Sequence, residues 1–542
     1  MNEVAQERAA AWALSLGIVV VPLLQIVPLD FDHSALVAAF APALVLGRKL
    51  WWRSWTELPR LLHWTLGALG VIVVIGVARA VNPAASAVMA STAFFAFLVG
   101  LLGMSLGRAH AGMFARAIAF SALATLAVFL YFSSLLPYPL QHDWGKKLPL
   151  FPHIRHFGIF LLPPAIVSWF LLAAAPPDSL RRGGWALAAL AIWSALLWTG
   201  GRAPLLGLLV TCALCMWLER GRRRELLFTA ISLFLGGLGV SLLFGVGDRS
   251  IGWWSAIIRT HNAGSTEVVL SGRTLIWTYC LEVWKDRPVL GWGLDGYRFL
   301  AVKQSGTQPH NFIVHTLLET GVAGTVLILA ALGTALAKGA RSSLGPHARW
   351  AWAVVVGSVV VAFFDGSFYH TLGVVPAAVA LGVLAAELIP AKSRRSTDES
   401  AHSVSTDWIR RAVVAVATVV AAAHIAQFHS IANGPIPGDE QALRVRALRA
   451  FPSTTIALPT WIQHWDKSDP DVAYRWIQWG QEHASNAWLY HLEECYWLLR
   501  RQRHEEALVA MDRAIAKLSP ENRPALQRQK DQLLRALRAL QR

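Results

Sequence analysis

Charge is scarce: only 15% of the 542 residues are Asp, Glu, Lys or Arg, against about a quarter in soluble domains. With 55% hydrophobic residues and a mean hydropathy of +0.44, that scarcity excludes an ordinary soluble globule. Acidic residues are scarcer than basic ones, 33 against 49, and the formal charge is +16. The excess does not point to nucleic acid, because the basic residues fall in short clusters between apolar runs, the pattern that orients membrane proteins. There are four cysteines. Cys212 and Cys215 form a C-x-x-C inside the apolar run Leu205 to Leu218, where a metal or redox pair would lack polar surroundings. Cys280 and Cys495 fall in polar segments, and spacing does not fix whether they meet, so no disulfide is expected. No His/Cys cluster at metal-ligand spacing and no nucleotide-phosphate loop occurs, so neither a metal nor another cofactor is implied. No small-residue cleavage site interrupts the first apolar run, which is expected to stay as a span.

Repeated apolar runs approach the roughly twenty residues that cross about 30 Å of hydrocarbon. They predict an all-α, polytopic membrane protein with about thirteen spans. The runs are Ala10 to Leu29, Ser34 to Leu46, Leu61 to Val77, Ser86 to Leu106, Met113 to Leu136, Phe157 to Ala175, Trp185 to Thr199, Leu205 to Leu218 and Leu226 to Val246. After a mostly polar stretch come Phe312 to Ala337, Trp350 to Phe364, Thr371 to Ile389 and Ile409 to Gln427. Lys and Arg occupy every second loop: Arg48, Lys49 and Arg53; Arg108 and Arg116; Arg181 and Arg182; Arg220 to Arg224; Lys338, Arg341 and Arg349; Lys392, Arg394 and Arg395. Those loops are therefore expected to be cytoplasmic, with the N-terminus inside. Arg79, Lys146 and Lys147 are exceptions. Tryptophans near run ends, among them Trp51, Trp52, Trp55, Trp198, Trp253 and Trp254, are expected as interfacial anchors.

The large outward loop is placed at about 247–310 and the membrane core at 1–430. Ser396 to Asp407 reads as a polar linker. From 434 to 542 the composition turns soluble. There Cys495, Leu498, Ala507, Met511 and Ala514, closed by Pro520, match a tetratricopeptide-like helix pair. A generic helical hairpin fits the same residues.

The predicted topology gathers three residues on the outward face. Arg202 lies in Gly200-Gly201-Arg202-Ala203-Pro204 at the outer end of a span, where a charge needs a partner or a function. Arg273 opens a helix behind Ser271-Gly272, so its guanidinium and the helix N-terminus make an anion site. His310, between Pro309 and Asn311 at the loop's end, is a candidate proton acceptor that Asn311 could orient. Arg155, His156, His153, Asp365 and His370 could line the same site, and Arg298 and Lys303 could meet a phosphate or a lipid headgroup.

The order of Ser271-Gly272-Arg273-Thr274-Leu275-Ile276-Trp277, then Arg287-Pro288-Val289-Leu290-Gly291-Trp292-Gly293, then Pro309-His310-Asn311 resembles the large extracytoplasmic loop of the O-antigen ligase and polymerase superfamily. The similarity runs over about 185–330. It implies a membrane glycosyltransferase of the bacterial inner membrane. Such an enzyme moves a glycan from an undecaprenyl-diphosphate-linked donor to an acceptor hydroxyl on the periplasmic face. It also implies that Arg202 and Arg273 bind the diphosphate and that His310 is catalytic. Single displacement would invert the anomeric carbon. The acceptor stays open between lipid A-core, a growing glycan polymer and a protein, because ligases, polymerases and protein O-oligosaccharyltransferases share the core. The helical tail, outside the minimal family pattern, is expected to bind a protein partner. A transporter of polysaccharide or small molecules is the rival from another class, but midplane ionisable residues and paired broken helices are not evident.

Overall fold

The computed structural model describes residues 3–23, 33–80, 83–135, 148, 150, 151, 153–244, 273–299, 308–342, 344–389, 462, 466, 469–483, 487–518, 523, 526, 527, 530, 531 and 533–535. Among them no strand occurs, and a single bridge pairs Leu148 with Phe151. The helices are α1 Glu3–Val20, α2 His33–Leu46, α3 Arg48–Glu57, α4 Arg60–Arg79, α5 Pro83–Leu135, α6 Ile154–Ala174, α7 Leu180–Thr199, α8 Arg202–Leu218 and α9 Arg223–Phe244. Within the expected loop 247–310 lies α10 Arg273–Trp284, and after it come α11 Phe312–Arg341, α12 Pro346–Ala362 and α13 Thr371–Leu388. Five described helices are long and apolar enough to cross a membrane, and Arg202–Leu218, Ala348–Ala362 and Leu372–Leu388 are shorter apolar helices. The chain is a multi-pass membrane protein. The expected span Ile409 to Gln427, the linker 396–407 and most of the outward loop, 247–272 and 300–307, lie outside the described residues.

The small residues of α5 and α13 explain their close approach. Gly100 faces the Ala378 carbonyl, Gly103 faces Val379 and Gly382, and Gly107 faces Val383 and Ala386. Small side chains bring backbones together where lipid supplies no hydrophobic drive between helices. Arg108 ends this seam by donating to the carbonyls of Ala386 and Ile389 at 2.8 and 2.5 Å. Helical hydrogen bonding continues to Leu135, where a break between Leu106 and Met113 was expected. The contacts of α5 are nonetheless those of two antiparallel spans. Phe120 meets Trp185 near the start of α7, and Phe129 meets Trp198 near its end.

Basic residues gather at the far end of the bundle and cap helix C-termini, whose last carbonyls lack partners. Arg222 donates to Ala173 at the end of α6. Arg349 donates to Gly339 and Ser342 at the end of α11 and pairs with Glu219. Trp51 and Trp198 correct the expectation of interfacial anchors: they are buried, Trp51 donating to the Leu44 carbonyl and Trp198 packing on Phe129. Both lie under α5 or beside it, so protein takes the place of lipid.

Helix α11 departs from the straight span expected over Phe312 to Ala337. At Gly321 the backbone turns left-handed, with φ 65° and ψ −172°. The segment 288–293 crosses there and repairs the broken ladder. Trp292 and Gly293 N–H groups donate to the carbonyls of Leu318 and Glu319, while Val322 and Ala323 donate to Pro288 and Val289. Past the break, the twenty residues up to Arg341 suffice to cross the hydrocarbon. The first turns of α11 therefore belong with α10, against which Ile276, Cys280, Tyr297 and Leu318 form a small separate core.

In the tail, α14 Pro470–His483, α15 Ala487–Arg500 and α16 His504–Lys517 pack in succession around their own core, including Cys495, Leu498, Ala507, Met511 and Ala514.

Candidate functional site

Five segments far apart in sequence meet at one end of the bundle: the α7–α8 turn, the start of α6, the start of α10 with Arg273, the stretch 308–311 with His310, and the turn between α12 and α13. α7 ends at left-handed Gly200, and α8 begins at once with Arg202. α6 begins after His153, whose Nδ1 caps the helix by accepting from the Arg155 N–H at 3.1 Å. Arg155 lies close enough to act electrostatically on both Arg202 and Arg273. The turn between α12 and α13 carries Asp365 and His370.

Asp365 is 5% exposed. Its Oδ1 accepts from His310 Nδ1 at 3.0 Å and from the Gly366 N–H at 2.9 Å, and its Oδ2 lies 3.6 Å from Arg273 Nη2. Burial works to raise the Asp365 pKa, but the His310 hydrogen bond, the charges of His310 and Arg273, and the Gly366 N–H hold it well below the usual carboxylate range. An ionised carboxylate can only accept, so the proton sits on His310 Nδ1. In the neutral imidazole this leaves the Nε2 lone pair as the basic position. Burial also lowers the Arg273 pKa against the pull of Asp365, with Arg155 and Arg202 adding repulsion. The site is thus a positive basin with one central anion.

His310 has φ 56°, in the left-handed region that non-glycine residues rarely adopt. Several contacts hold it there. Trp277, one turn along α10 from Arg273, donates its indole N–H to the Pro309 carbonyl at 2.9 Å. Asn311 caps α11 by accepting from Val314 N–H and donates to the Phe363 carbonyl, each at 3.0 Å. These two bonds use one N–H and the oxygen of the amide expected to orient His310. Phe312 meets Phe368 edge-on at 5.1 Å. Gln308, buried, pairs with His370 at 2.9 Å, and the His370 ring lies 4.2 Å from that of His156.

Arg202, Arg273, His310, Arg155, His156, Asp365 and His370 therefore share one neighbourhood. Lys303 lies outside the described residues, and Arg298 sits in the short turn Gly296–Phe299. Gln308 and the placing role of Trp277 had no sequence signal, since Gln308 finds its partner 62 residues away and Trp277 finds Pro309 across 32. A second buried polar group adjoins the turn. The Tyr369 hydroxyl donates to Asp295, and its ring lies 4.8 Å from His315, which pairs with Glu319 at 2.9 Å. Beneath Phe368 and Tyr369 an apolar cavity of about 260 Å³ runs between Met89, Ala96, Leu332 and Leu381. The four cysteines are free and buried. Cys280 and Cys495 belong to different cores.

Residues 186–329 match the O-Antigen ligase family. That stretch takes in Arg202, Arg273 and His310, whereas Arg155, His156, Asp365 and His370 fall outside it. The exopolysaccharide production protein ExoQ of Rhizobium meliloti (strain 1021) is 28% identical over 130 residues, 21% of this chain. The chain spans 28% of that relative's length. The chain is thus similar over this stretch to the O-antigen ligase family and to an exopolysaccharide production protein, and its apolar helices set that stretch in a membrane protein.

Proposed function

We propose that the protein transfers a glycan from an undecaprenyl-diphosphate-linked donor to an acceptor hydroxyl at the periplasmic face of the bacterial inner membrane. The observation that carries the reading is a basin of three arginines with one His–Asp pair, whose turn also supplies Phe368 and Tyr369 to the lining of an apolar cavity. Such a pairing suits an anionic head on an apolar chain. Three guanidinium groups against one carboxylate leave two positive charges, which match a diphosphate esterified at both ends.

His310 Nε2 takes the acceptor's proton as its oxygen bonds to the anomeric carbon. The bond from that carbon to the diphosphate oxygen breaks in the same displacement, and the leaving electron pair stays on the diphosphate. Arg202 and Arg273, with Arg155 beside them, stabilise that growing charge. Asp365 fixes the tautomer of His310 and offsets the positive charge it acquires, the role an orienting carboxylate plays in acid–base catalysis. The displacement inverts the anomeric carbon and needs no covalent intermediate. An acceptor that is itself a lipid-linked glycan, as in a polymerase, is favoured by one observation: the named relative is an exopolysaccharide production protein. The helical tail is proposed as a tetratricopeptide-like surface for a protein partner.

Deleting the gene tests this function. Lipid-linked glycan should accumulate, and loss of substituted lipid A-core, of long polymer or of a glycoprotein would identify the acceptor. No accumulation and no change in any of the three would sink the proposal.

A further inference from the structure

His310 follows a proline and is left-handed, and both facts bear on what holds it. Pro309 has no N–H, so its carbonyl is its only backbone hydrogen-bonding group. That carbonyl belongs to the peptide plane joining Pro309 to His310. Turning the plane over changes ψ of Pro309 and φ of His310 together, so the direction of the carbonyl and the left-handed backbone of His310 are one conformational choice. The Trp277 indole N–H meets this carbonyl at 2.9 Å. An L-residue in the left-handed region is strained, so the surroundings must over-determine it.

Helix α10 also carries Arg273, four residues before Trp277, so both lie on one face. Arg273 reaches Asp365 Oδ2 while Trp277 reaches the peptide just before His310. One helix thus grips both members of the His310–Asp365 pair. Trp277 is packed beside Ile276, Cys280 and Leu318, which keeps the indole in place.

We propose that Trp277 is a positioning residue for the transfer reaction: its indole N–H locks the Pro309–His310 peptide so that His310 Nε2 faces the acceptor. This rests on the reading of His310 as the base.

The test compares Trp277→Phe in two backgrounds, using full-length protein in lipid nanodiscs and an undecaprenyl-diphosphate-linked glycan. In the wild-type background Trp277→Phe should slow transfer about 10- to 100-fold, the scale expected when a catalytic group shifts by about an ångström. Donor affinity should stay within about twofold, because Arg202 and Arg273 are intact. In a His310→Ala background the same change should cost nothing further, since two residues acting as one unit are non-additive. An equal loss in both backgrounds, or full activity of Trp277→Phe alone, would overturn the proposal. Wild-type turnover in His310→Ala itself would remove the underlying base assignment and this proposal with it, an outcome the first arm cannot produce. Should Trp277→Phe fail to accumulate, Trp277→Tyr carries the same comparison, because it keeps aromatic bulk without the indole N–H.

Discussion

Asp365 is where the candidate site is most tightly determined. It is buried among positive charges, and the contacts that hold it ionised also hold His310 and Arg273. Because its folded pKa lies below the unfolded value of about 3.9, its stabilising contribution is complete above that value and is lost as pH falls toward the folded pKa. Asp365→Asn leaves Arg273 and His310 without their anion, and breaking such a buried pair costs roughly 3–5 kcal/mol. The thermal midpoint of Asp365→Asn should therefore fall well below that of the wild type. The gap should stay constant from pH 7 to about 5 and narrow only below about pH 4. A gap that does not narrow below about pH 4 would show that the fold does not hold the Asp365 pKa below its unfolded value. Arg202 and His310 stood out in the sequence because each sits in a short motif at the end of an apolar run, and Arg273 because it opens a helix within the polar stretch. Asp365 and His370 stood out only as polar residues in a short loop. Their partners lie 55 and 62 residues away, and no periodicity connects them.

Among the elements, helix α11 shows why a hydropathy pattern reads span positions better than span shapes. Nothing in Leu317-Leu318-Glu319-Thr320-Gly321-Val322-Ala323-Gly324 forbids a continuous helix. The break exists because the distant segment 288–293 supplies replacement hydrogen bonds, and Gly321 is the residue that allows the crossing. A Cβ at Gly321 would stand 2.2 Å from the Val289 carbonyl oxygen in a backbone already at φ 65°. Gly321→Ala should therefore destabilise the protein by roughly 2 kcal/mol or more. Gly333→Ala, in the same helix with nothing within 4 Å of the added carbon, should be neutral or stabilising by roughly 0.5–1 kcal/mol. Thermal unfolding of the two variants side by side checks this, and equal midpoints would contradict the crossing. For α5 the expected pair of spans is visible in its contacts, although the hydrogen-bonded helix does not stop between them.

At the scale of the molecule, alternation of basic loops was the informative signal. Arg108, Arg222 and Arg349, taken from three expected cytoplasmic loops, cap helices at the end opposite the candidate site. The same alternation gathered Arg202, Arg273 and His310 at the other end before any contact was known. What the pattern did not carry was the division of labour inside the basin, which depends on a left-handed His310, on which imidazole nitrogen faces Asp365, and on the indole behind Pro309. That division is the central claim: arginines hold the diphosphate and His310 activates the acceptor. The direct measurement is donor affinity and single-turnover rate, taken separately, for Arg202→Gln, Arg273→Gln and His310→Ala. Donor affinity should weaken about tenfold or more in each arginine variant, the scale of a lost charge-assisted hydrogen bond. For His310→Ala affinity should stay within about twofold of wild type, with turnover down about 10²- to 10⁴-fold. Near-normal turnover in His310→Ala, or a loss of donor affinity matching that of the arginine variants, would contradict that division.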